Sequence, residues 1–285
     1  MKKLFIIALL PAFVYCQNST PASSASAEKV IETIIEETGS AAVPNTVDVI
    51  KEGDPETPVK GIVTCMFATM EVLREAVKAN CNLIIAHEPL YYNHLDSTEK
   101  FENDPVYQEK KNFIIDNKLV VWRFHDYVHR IRPDGIISGM VEKLGWEANQ
   151  VNGNPYKFTF PQMSLTDLLK KLKKTFPKNA FHVVGEPDMK VSNVTYVPGA
   201  SGTDAQIGQL RKSDVDVVIA GEVPQWETYE YVRDAVSQGR KKAIVFIGHI
   251  NSEEAGMKFA ADWMRTFIKD TPIQFIACGS SYFTY

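Results

Sequence analysis

Short hydrophobic runs that end on a histidine are the dominant pattern of this chain. The three runs and their histidines are residues 83–86 before His87, residues 120–124 before His125, and residues 243–248 before His249. Each run has the length and composition of a short buried strand. Segments with helical periodicity lie between them, including residues 28–38, 134–144 and 252–268. This alternation predicts an α/β fold whose strands form a largely parallel sheet.

The three histidines are expected to meet, because ligands of open α/β sheets gather beyond the carboxyl ends of the strands. If the three strands share one sheet, the imidazoles lie along one edge of it. Further polar residues accompany them in the sequence, namely Glu88, Asp126, His129 and Glu253. Nitrogen and carboxylate ligands without thiolate suit zinc, manganese, iron or cobalt. The pattern therefore predicts a divalent metal site.

The segment around His249 is the strongest of these local motifs. Asn251 or Ser252 suits a helix N-cap, so Glu253 falls in the first helical turn and can point back toward His249. The alternative is a capping carboxylate beside a hydrogen-bonded histidine. His87 and Glu88 place two ligand types on consecutive residues where a strand leaves its sheet.

The other polar positions each have a functional and a structural interpretation. His125 and His129 have the i, i+4 spacing that shares a helical face. The alternative is a surface loop, or an Asp126 that orients His125 by a hydrogen bond. Glu222 follows a strand-like run and suits a supporting wall or a substrate contact. His182 lies within a strand-like run, where a packed or solvated histidine is expected rather than a ligand.

Composition limits the classes of function. The chain has 285 residues, 45% of them hydrophobic, and a formal net charge of −4, which allows a substantial core. Its basic residues are scattered, so we expect neither a nucleic-acid groove nor a basic membrane patch. The sequence contains no P-loop and no GxSxG motif. The Gly, Asn and Pro residues of segment 149–155 mark the best internal boundary.

The first residues have the order of an export signal. Lys2 and Lys3 precede the apolar segment 4–14, and Cys16 follows it. We interpret residues 1–16 as a signal peptide of the lipoprotein type and residues 17–27 as a flexible tether. Tyr15 departs from the small residue usual before a lipidated cysteine, so a plain secretory signal or an uncleaved anchor is the alternative. The prediction is an exported protein, periplasmic or lipid-anchored to the envelope.

Four short motifs resemble those of the Nif-three-like dinuclear metal-centre family, whose members are often labelled GTP cyclohydrolase I type 2 homologues. Residues 82–92 are similar to the family segment "dlIitHHPlif", and residues 121–129 to "HTnlD". Residues 216–222 resemble "DvyiTGE", and residues 248–253 resemble "GHyxtE". Order and spacing agree over about residues 28–285. The resemblance implies two related α/β lobes, about 28–149 and 150–285, with the metals in the cleft between them.

The resemblance also implies a ligand set for two divalent cations per chain. Carried over position by position, the ligands are His87, Glu88, His129, His249 and Glu253. Two positions depart from the family, because Glu88 replaces the second histidine of "HHP" and His129 replaces the aspartate of "HTnlD". The exchange keeps three imidazoles and two carboxylates, so the ligand charge of −2 is retained. Glu253 is the natural bridge between two ions.

Metal-dependent hydrolysis is the leading hypothesis for function, with Glu88, Asp126 and Glu222 as candidates for the catalytic base or for positioning the substrate. The sequence does not identify the substrate. The rival hypothesis is an exported, non-catalytic metal-binding or assembly protein, for which a sealed and saturated site is expected. A third interpretation, purely structural histidines, predicts no tightly held metal. The family resemblance further implies a hexameric homo-oligomer.

Overall fold

The structure is a computed structural model that describes residues 25–283. The predicted signal peptide with Cys16, and residues 17–24 of the predicted tether, lie outside the described residues. Within residues 25–283, no helix has both the length and the apolarity needed to cross a membrane.

The first sheet has five strands. They are β1 (Ile50–Glu52), β2 (Ile62–Cys65), β3 (Leu83–Ala86), β4 (Val120–Arg123) and β11 (Ile273–Phe275). Their order is β1-β4-β3-β2-β11, and only β1 runs antiparallel to its neighbour. Both faces of this sheet are covered, since Leu83 and Ile85 of β3 pack into one core and Ile84 into another. Burial on both faces explains why residues 83–86 are apolar throughout.

Helices cover the first sheet on both sides. They are α1 (Ala27–Glu37), α2 (Met70–Lys78), α3 (Pro105–Asp116) and α4 (Gly135–Leu144). The predicted helix at residues 28–38 is confirmed and begins one residue earlier, because the Ser26 side chain accepts the Lys29 N–H as its N-cap. The α2 and α3 helices pack on the outer face, with Val72 and Ile114 in that core.

The second sheet has six strands. They are β5 (Gln150–Val151), β6 (Asn154–Ser164), β7 (His182–Val184), β8 (Lys190–Val197), β9 (Val217–Ala220) and β10 (Ala243–Phe246). The order is β5-β6-β8-β9-β10-β7, with β8, β9 and β10 parallel and the other pairs antiparallel. The associated helices are α5 (Leu165–Thr175), α6 (Gly202–Leu210), α7 (Thr228–Ser237) and α8 (His249–Met264).

Helices α4 and α8 form a layer shared by the two sheets. Ile136 of α4 packs into the core of the first sheet, and the next residue, Ile137, into that of the second. Two glycines allow the helices to touch, because a Cβ on Gly139 would lie 2.2 Å from the Ala255 carbonyl oxygen. A Cβ on Gly256 would lie 2.4 Å from the Ile136 Cα. The helix pair thereby holds the carboxyl ends of both sheets against one cleft.

The predicted fold class is confirmed: the chain is α/β, with two mixed sheets, of which the first is mostly parallel and the second has a parallel centre with antiparallel strands on both sides. The expectation that all three histidine-terminated strands share one sheet is wrong. Strands β3 and β4, which precede His87 and His125, belong to the first sheet, whereas β10, which precedes His249, belongs to the second. The histidines meet because the two sheets face each other. The division into lobes near residue 149 stays a prediction; the last strand, β11, pairs with β2 of the first sheet.

Candidate metal centre

The predicted ligands lie at the carboxyl ends of strands from both sheets. His87 and Glu88 follow β3 directly, and both are buried. The segment after β4 brings in His125 and, through a short 3-10 turn at Val128–Arg130, His129. The rings of His87 and His125 stack with their centroids 4.7 Å apart, and the His129 ring lies 5.5 Å from that of His87. The structure therefore brings together histidines from two adjacent strands.

The second sheet contributes His249 and Glu253. Helix α8 begins at His249, with Gly248 as N-cap at φ 91°, so the predicted cap at Asn251 or Ser252 is wrong. Glycine at this positive φ lets the helix begin directly after the strand. His249 and Glu253 consequently stand one helical turn apart, and their Nε2 and Oε2 atoms are 3.0 Å apart. The expectation that Glu253 points back toward His249 is confirmed.

All four histidines share one hydrogen-bonding pattern: their Nδ1 atom faces an oxygen acceptor. The contacts are His87 Nδ1 to Phe124 O at 3.2 Å, His125 Nδ1 to Asp126 Oδ1 at 3.1 Å, His129 Nδ1 to Asp134 Oδ2 at 2.9 Å, and His249 Nδ1 to Glu222 Oε1 at 2.8 Å. An oxygen acceptor places a proton on Nδ1, which leaves a lone pair on Nε2 when the ring is neutral. Acceptors of this kind orient the histidine ligands of metal sites.

The Nε2 atoms lie among carboxylate oxygens. His87 Nε2 is 3.7 Å from Glu253 Oε2 and 3.9 Å from Glu88 Oε1, and His249 Nε2 is 3.1 Å from Glu88 Oε1. His87 Nε2 is buried and has no hydrogen-bond partner within the described residues. Such an orphaned polar atom costs free energy unless another group satisfies it.

Two groups of side chains have their ligand atoms within 4.8 Å of one another. One group is His87, His125 and His129, and the other is His87, Glu88 and Glu253. Imidazole nitrogens and carboxylate oxygens are ligands of zinc and of other first-row divalent ions. The donor set and the orphaned nitrogen of His87 fit a metal cation. A buried His/Glu cluster able to bind metal is thus present.

Electrostatics in the cluster favour positive charge at its centre. Burial raises the pKa of Glu88, but the hydrogen bond with His249 and the neighbouring imidazoles outweigh it and lower that pKa to about 2. Burial also opposes charge on His249, yet hydrogen bonds to Glu222, Glu253 and Glu88 raise its pKa to about 12. Burial lowers the pKa of His87 to about 4, so that ring is neutral at pH 7.

The three catalytic candidates prove to be hydrogen-bonded to the cluster rather than free in the cleft. Asp126 accepts from Thr46, from the Val47 N–H and from His125. Glu88 contacts His249 with Oε1 and Arg123 with Oε2. Glu222 contacts His249 through Oε1, and its side chain is 58% exposed at the cleft. Of the three, Glu222 is the most exposed, since the side chains of Asp126 and Glu88 are 30% and 9% exposed.

Arg123 is a member of the site that sequence reasoning missed. It is 1% exposed, and its Nε donates to the His87 carbonyl at 3.3 Å. Its Nη2 lies 3.6 Å from Glu88 Oε2, and its Nη1 lies 3.9 Å from Asp96 Oδ2 and also donates to the His94 carbonyl. The sequence signal was a charged residue inside an otherwise apolar strand, because such a residue requires a buried partner.

Two aspartates that support the ligand loops were missed as well. Asp48 accepts the backbone N–H groups of His125, Asp126 and Tyr127 at 2.8, 2.9 and 2.8 Å. Asp134 caps α4 through the Ile137 N–H. Its other oxygen accepts from His129 and from the Tyr156 hydroxyl, at 2.9 and 2.7 Å. Asp134 had a sequence signal, its place at a predicted helix start; Asp48 had none.

The remaining positions agree with their structural interpretations. His182 lies exposed in β7, away from the cluster, with its Nδ1 3.0 Å from the Tyr229 hydroxyl.

In the glycine-containing loop before α6, Gly199 has φ +62°, and a Cβ there would lie 2.5 Å from Glu253 Oε1. This loop therefore packs directly against the carboxylate of a predicted ligand.

Comparison with known proteins identifies the family. The model of the family Duf34/NIF3 (NGG1p interacting factor 3) matches residues 31–280. This chain belongs to the Duf34/NIF3 family. The resemblance stated from the sequence is thereby confirmed, since the match spans nearly all of the predicted 28–285 region.

Among curated proteins, this Duf34/NIF3 chain is similar to two named "GTP cyclohydrolase 1 type 2 homolog". It is 28% identical to the one from Clostridium acetobutylicum over 212 residues, which is 70% of this chain and 75% of that protein. It is 24% identical to the one from Clostridium perfringens, covering 70% of this chain and 76% of the relative.

Solved structures show the same fold. A Bacillus cereus protein related to NIF3 superposes with a TM-score of 0.71 at 16% identity, covering 91% of this Duf34/NIF3 chain and 99% of that chain. A hypothetical protein of Staphylococcus aureus superposes with a TM-score of 0.71 at 15% identity, covering 92% of this chain and 100% of that one. At these identities the likeness concerns the fold alone.

Proposed function

We propose that this protein is a metal-dependent hydrolase that holds two divalent cations per chain. The observation that carries the proposal is the shared pattern of the four histidines, each with Nδ1 facing an oxygen acceptor, which leaves Nε2 for a cation that displaces any proton there. His87, His125 and His129 are suited to one cation. Glu88 and Glu253 are suited to the other, together with His249, whose Nε2 lies 3.1 and 3.0 Å from their oxygens. Zinc, manganese, iron and cobalt all suit this mixture of nitrogen and oxygen ligands.

A bound divalent cation supplies Lewis-acid polarisation of a carbonyl or phosphoryl oxygen and makes water nucleophilic near neutral pH. The residues of the chain hold and orient the reactants. Both oxygens of Asp126 have partners, so Asp126 serves to position His125, whereas Glu88 is one of the residues that would hold a cation. Glu222 is ionised at neutral pH, because its hydrogen bond from His249 lowers its pKa, and its exposed side chain can take a proton from the attacking water.

The shape of the site supports an enzyme over a sealed metal store. A cleft of about 1390 Å³ reaches Glu88, Glu222 and His249 from the surface. Substrate therefore has access to one side of the cluster, whereas a storage or structural site is expected to be closed. The rival hypothesis of a non-catalytic metal-binding protein predicts the same metal content but no turnover.

The first experiment is the metal content of the purified mature protein by elemental mass spectrometry, beside the variant His249→Ala/Glu253→Ala. We expect close to two ions per chain, and at most one in the variant. Ester, amide and phosphodiester substrates are then screened with and without a chelator, and activity must disappear with the chelator. No metal after reconstitution would overturn the proposal, and full metal without any turnover would favour the rival hypothesis.

A further inference from the structure

The cleft beside the metal cluster has an uneven distribution of charge. Its acidic side chains are Glu71, Glu88 and Glu222. Among the described residues that line it, Lys110 is the only lysine or arginine. Glu88 and Glu222 both contact His249 at the cluster, whereas Glu71 lies on the side of Lys110. The cleft therefore combines an acidic end at the candidate ligands with a single ammonium group on helix α3.

The ammonium group of Lys110 is buried but only partly satisfied. The residue is 7% exposed, and its Nζ donates to the Leu90 carbonyl at 2.7 Å. It also lies 5.8 Å from the ring centroid of Tyr91 and 5.7 Å from that of Tyr92. No carboxylate oxygen of residues 25–283 lies within 4.0 Å of this Nζ. An ammonium group has three donors, and one hydrogen bond leaves two of them for a ligand.

A purely structural role explains this lysine poorly. Burying an ammonium group without a counter-ion is costly, and a residue that only packed α3 against the loop after β3 would be better apolar. Lys51, whose side chain is also buried at 9% exposure, has such a counter-ion, because its Nζ lies 3.3 Å from Asp96 Oδ2. Lys110 departs from it at the wall of a cleft that ends at the metal ligands.

We propose that Lys110 is the anion-recognition group of the cleft, so that the substrate of the metal site carries a carboxylate or a phosphate besides the bond that is cleaved. That the bound anion is a substrate rests on the proposed function. The anion-binding site itself depends only on Lys110 and the cleft, because both exist independently of the metal.

The position of Lys110 limits the size of such a substrate. Leu90, whose carbonyl accepts from Lys110, follows Glu88 by two residues, which places their Cα atoms at most about 7.6 Å apart. Phe67, Met70 and Tyr92 line the same cleft and offer apolar surface. The ligand class is therefore a small molecule with an apolar or aromatic body and one anionic group.

Calorimetric titration with three probes tests the site. Benzoate and phenyl phosphate carry the two anionic groups, and benzamide is the neutral counterpart of benzoate. Titrations use the chelator-treated mature protein, so that anions cannot bind to metal. We expect the wild type to bind at least one anion at least ten-fold more tightly than benzamide. The preferred anion decides between carboxylate and phosphate.

The variant Lys110→Met should lose this preference while its benzamide affinity is unchanged, and Lys110→Arg should keep it. Lys111→Met is the matched control, since Lys111 is the next residue on α3 and does not line the cleft. It should behave as the wild type. Equal affinities for anions and benzamide in the wild type, or an anion preference that persists in Lys110→Met, would overturn the proposal.

The outcome is separable from that of the proposed function. Lys110→Met should retain the wild-type metal content, and the variant His249→Ala/Glu253→Ala should retain the anion preference. If the protein prefers anions but shows no turnover, the anion-binding proposal stands and the hydrolase proposal is rejected. If the protein shows turnover but no anion preference, the hydrolase proposal stands and the anion-binding proposal is rejected.

Discussion

Glu88 and Arg123 are paired inside the protein, with Oε2 and Nη2 3.6 Å apart and the arginine 1% exposed. The pair links the first sheet to the His/Glu cluster, because Glu88 also faces His249, which follows β10 of the second sheet, at 3.1 Å. Arg123 thereby balances the carboxylate that stands where the family resemblance implies a histidine.

Replacing Arg123 by methionine should therefore destabilise the protein strongly. The substitution removes the buried guanidinium group beside Glu88, while Asp96 keeps Lys51 as its partner. Breaking a buried pair in this way costs about 3–5 kcal/mol. Urea unfolding of Arg123→Met against wild type measures the loss. The control is Arg233→Met, because Arg233 pairs with Glu230 at 2.7 Å on the surface, where such pairs contribute about 0–1 kcal/mol. Equal effects of the two substitutions would contradict the assignment.

Asp134→Asn should weaken metal binding while leaving helix α4 capped. The Oδ1 of asparagine can still accept the Ile137 N–H. Its NH2 group would replace Oδ2, which now accepts hydrogen bonds from His129 and Tyr156, and an NH2 group cannot accept them. Loss of such a supporting carboxylate typically reduces metal affinity about 10- to 100-fold. Competition with a fluorescent chelator measures the affinity. Asp167→Asn, at the exposed start of α5, should leave it unchanged.

Gly199→Ala should displace the carboxylate of Glu253. A Cβ at this position would lie 2.5 Å from Glu253 Oε1, and the φ of +62° disfavours alanine. We expect the metal content to fall and the free energy of unfolding to drop by about 1–3 kcal/mol. Gly208→Ala is the control, since Gly208 lies within α6 with open space around it. That substitution should stabilise the helix by up to about 1 kcal/mol.

The burial of Lys110 should appear in the pH dependence of stability. Desolvation lowers the pKa of Lys110 to about 8, although Cys65, Asp96 and Glu71 nearby favour its charge. Between that pH and the unfolded value of about 10.4, the unfolded state binds more protons, so the stability contributed by Lys110 rises with pH. The wild type should gain about 3 kcal/mol relative to Lys110→Met between pH 7.5 and 11. A constant difference across this range would show that Lys110 is solvated.

Cys16→Ser tests the export prediction. If residues 1–16 form a lipoprotein leader, the wild type should partition into detergent and its N-terminal peptide should carry acyl chains by mass spectrometry. The variant should lose both properties, whereas Cys278→Ser should retain them. A wild-type protein that is cleaved but not acylated would support a plain secretory signal instead.

Much of the site was predictable because its ligands follow local patterns. The strand before His87 and the one before His249 are short apolar runs, and both were identified by hydrophobicity alone. The contact between His249 and Glu253 follows from helical spacing once the helix is placed. The start of α8 was misplaced because Asn251 and Ser252 have good capping side chains, while the positive φ of Gly248 decides the true start.

The sequence by itself determined the fold class, the family and the candidate ligand residues, because hydrophobic period and short motifs are local properties. Only the tertiary structure decided that β3 and β10 belong to different sheets. It also decided the partners of the ligands: Asp48 holds His125 across 77 residues of sequence, and Glu88 meets His249 across 161. Such contacts depend on strand order and on how the sheets pack around α4 and α8. That packing reflects burial summed over the whole core, which no local segment encodes.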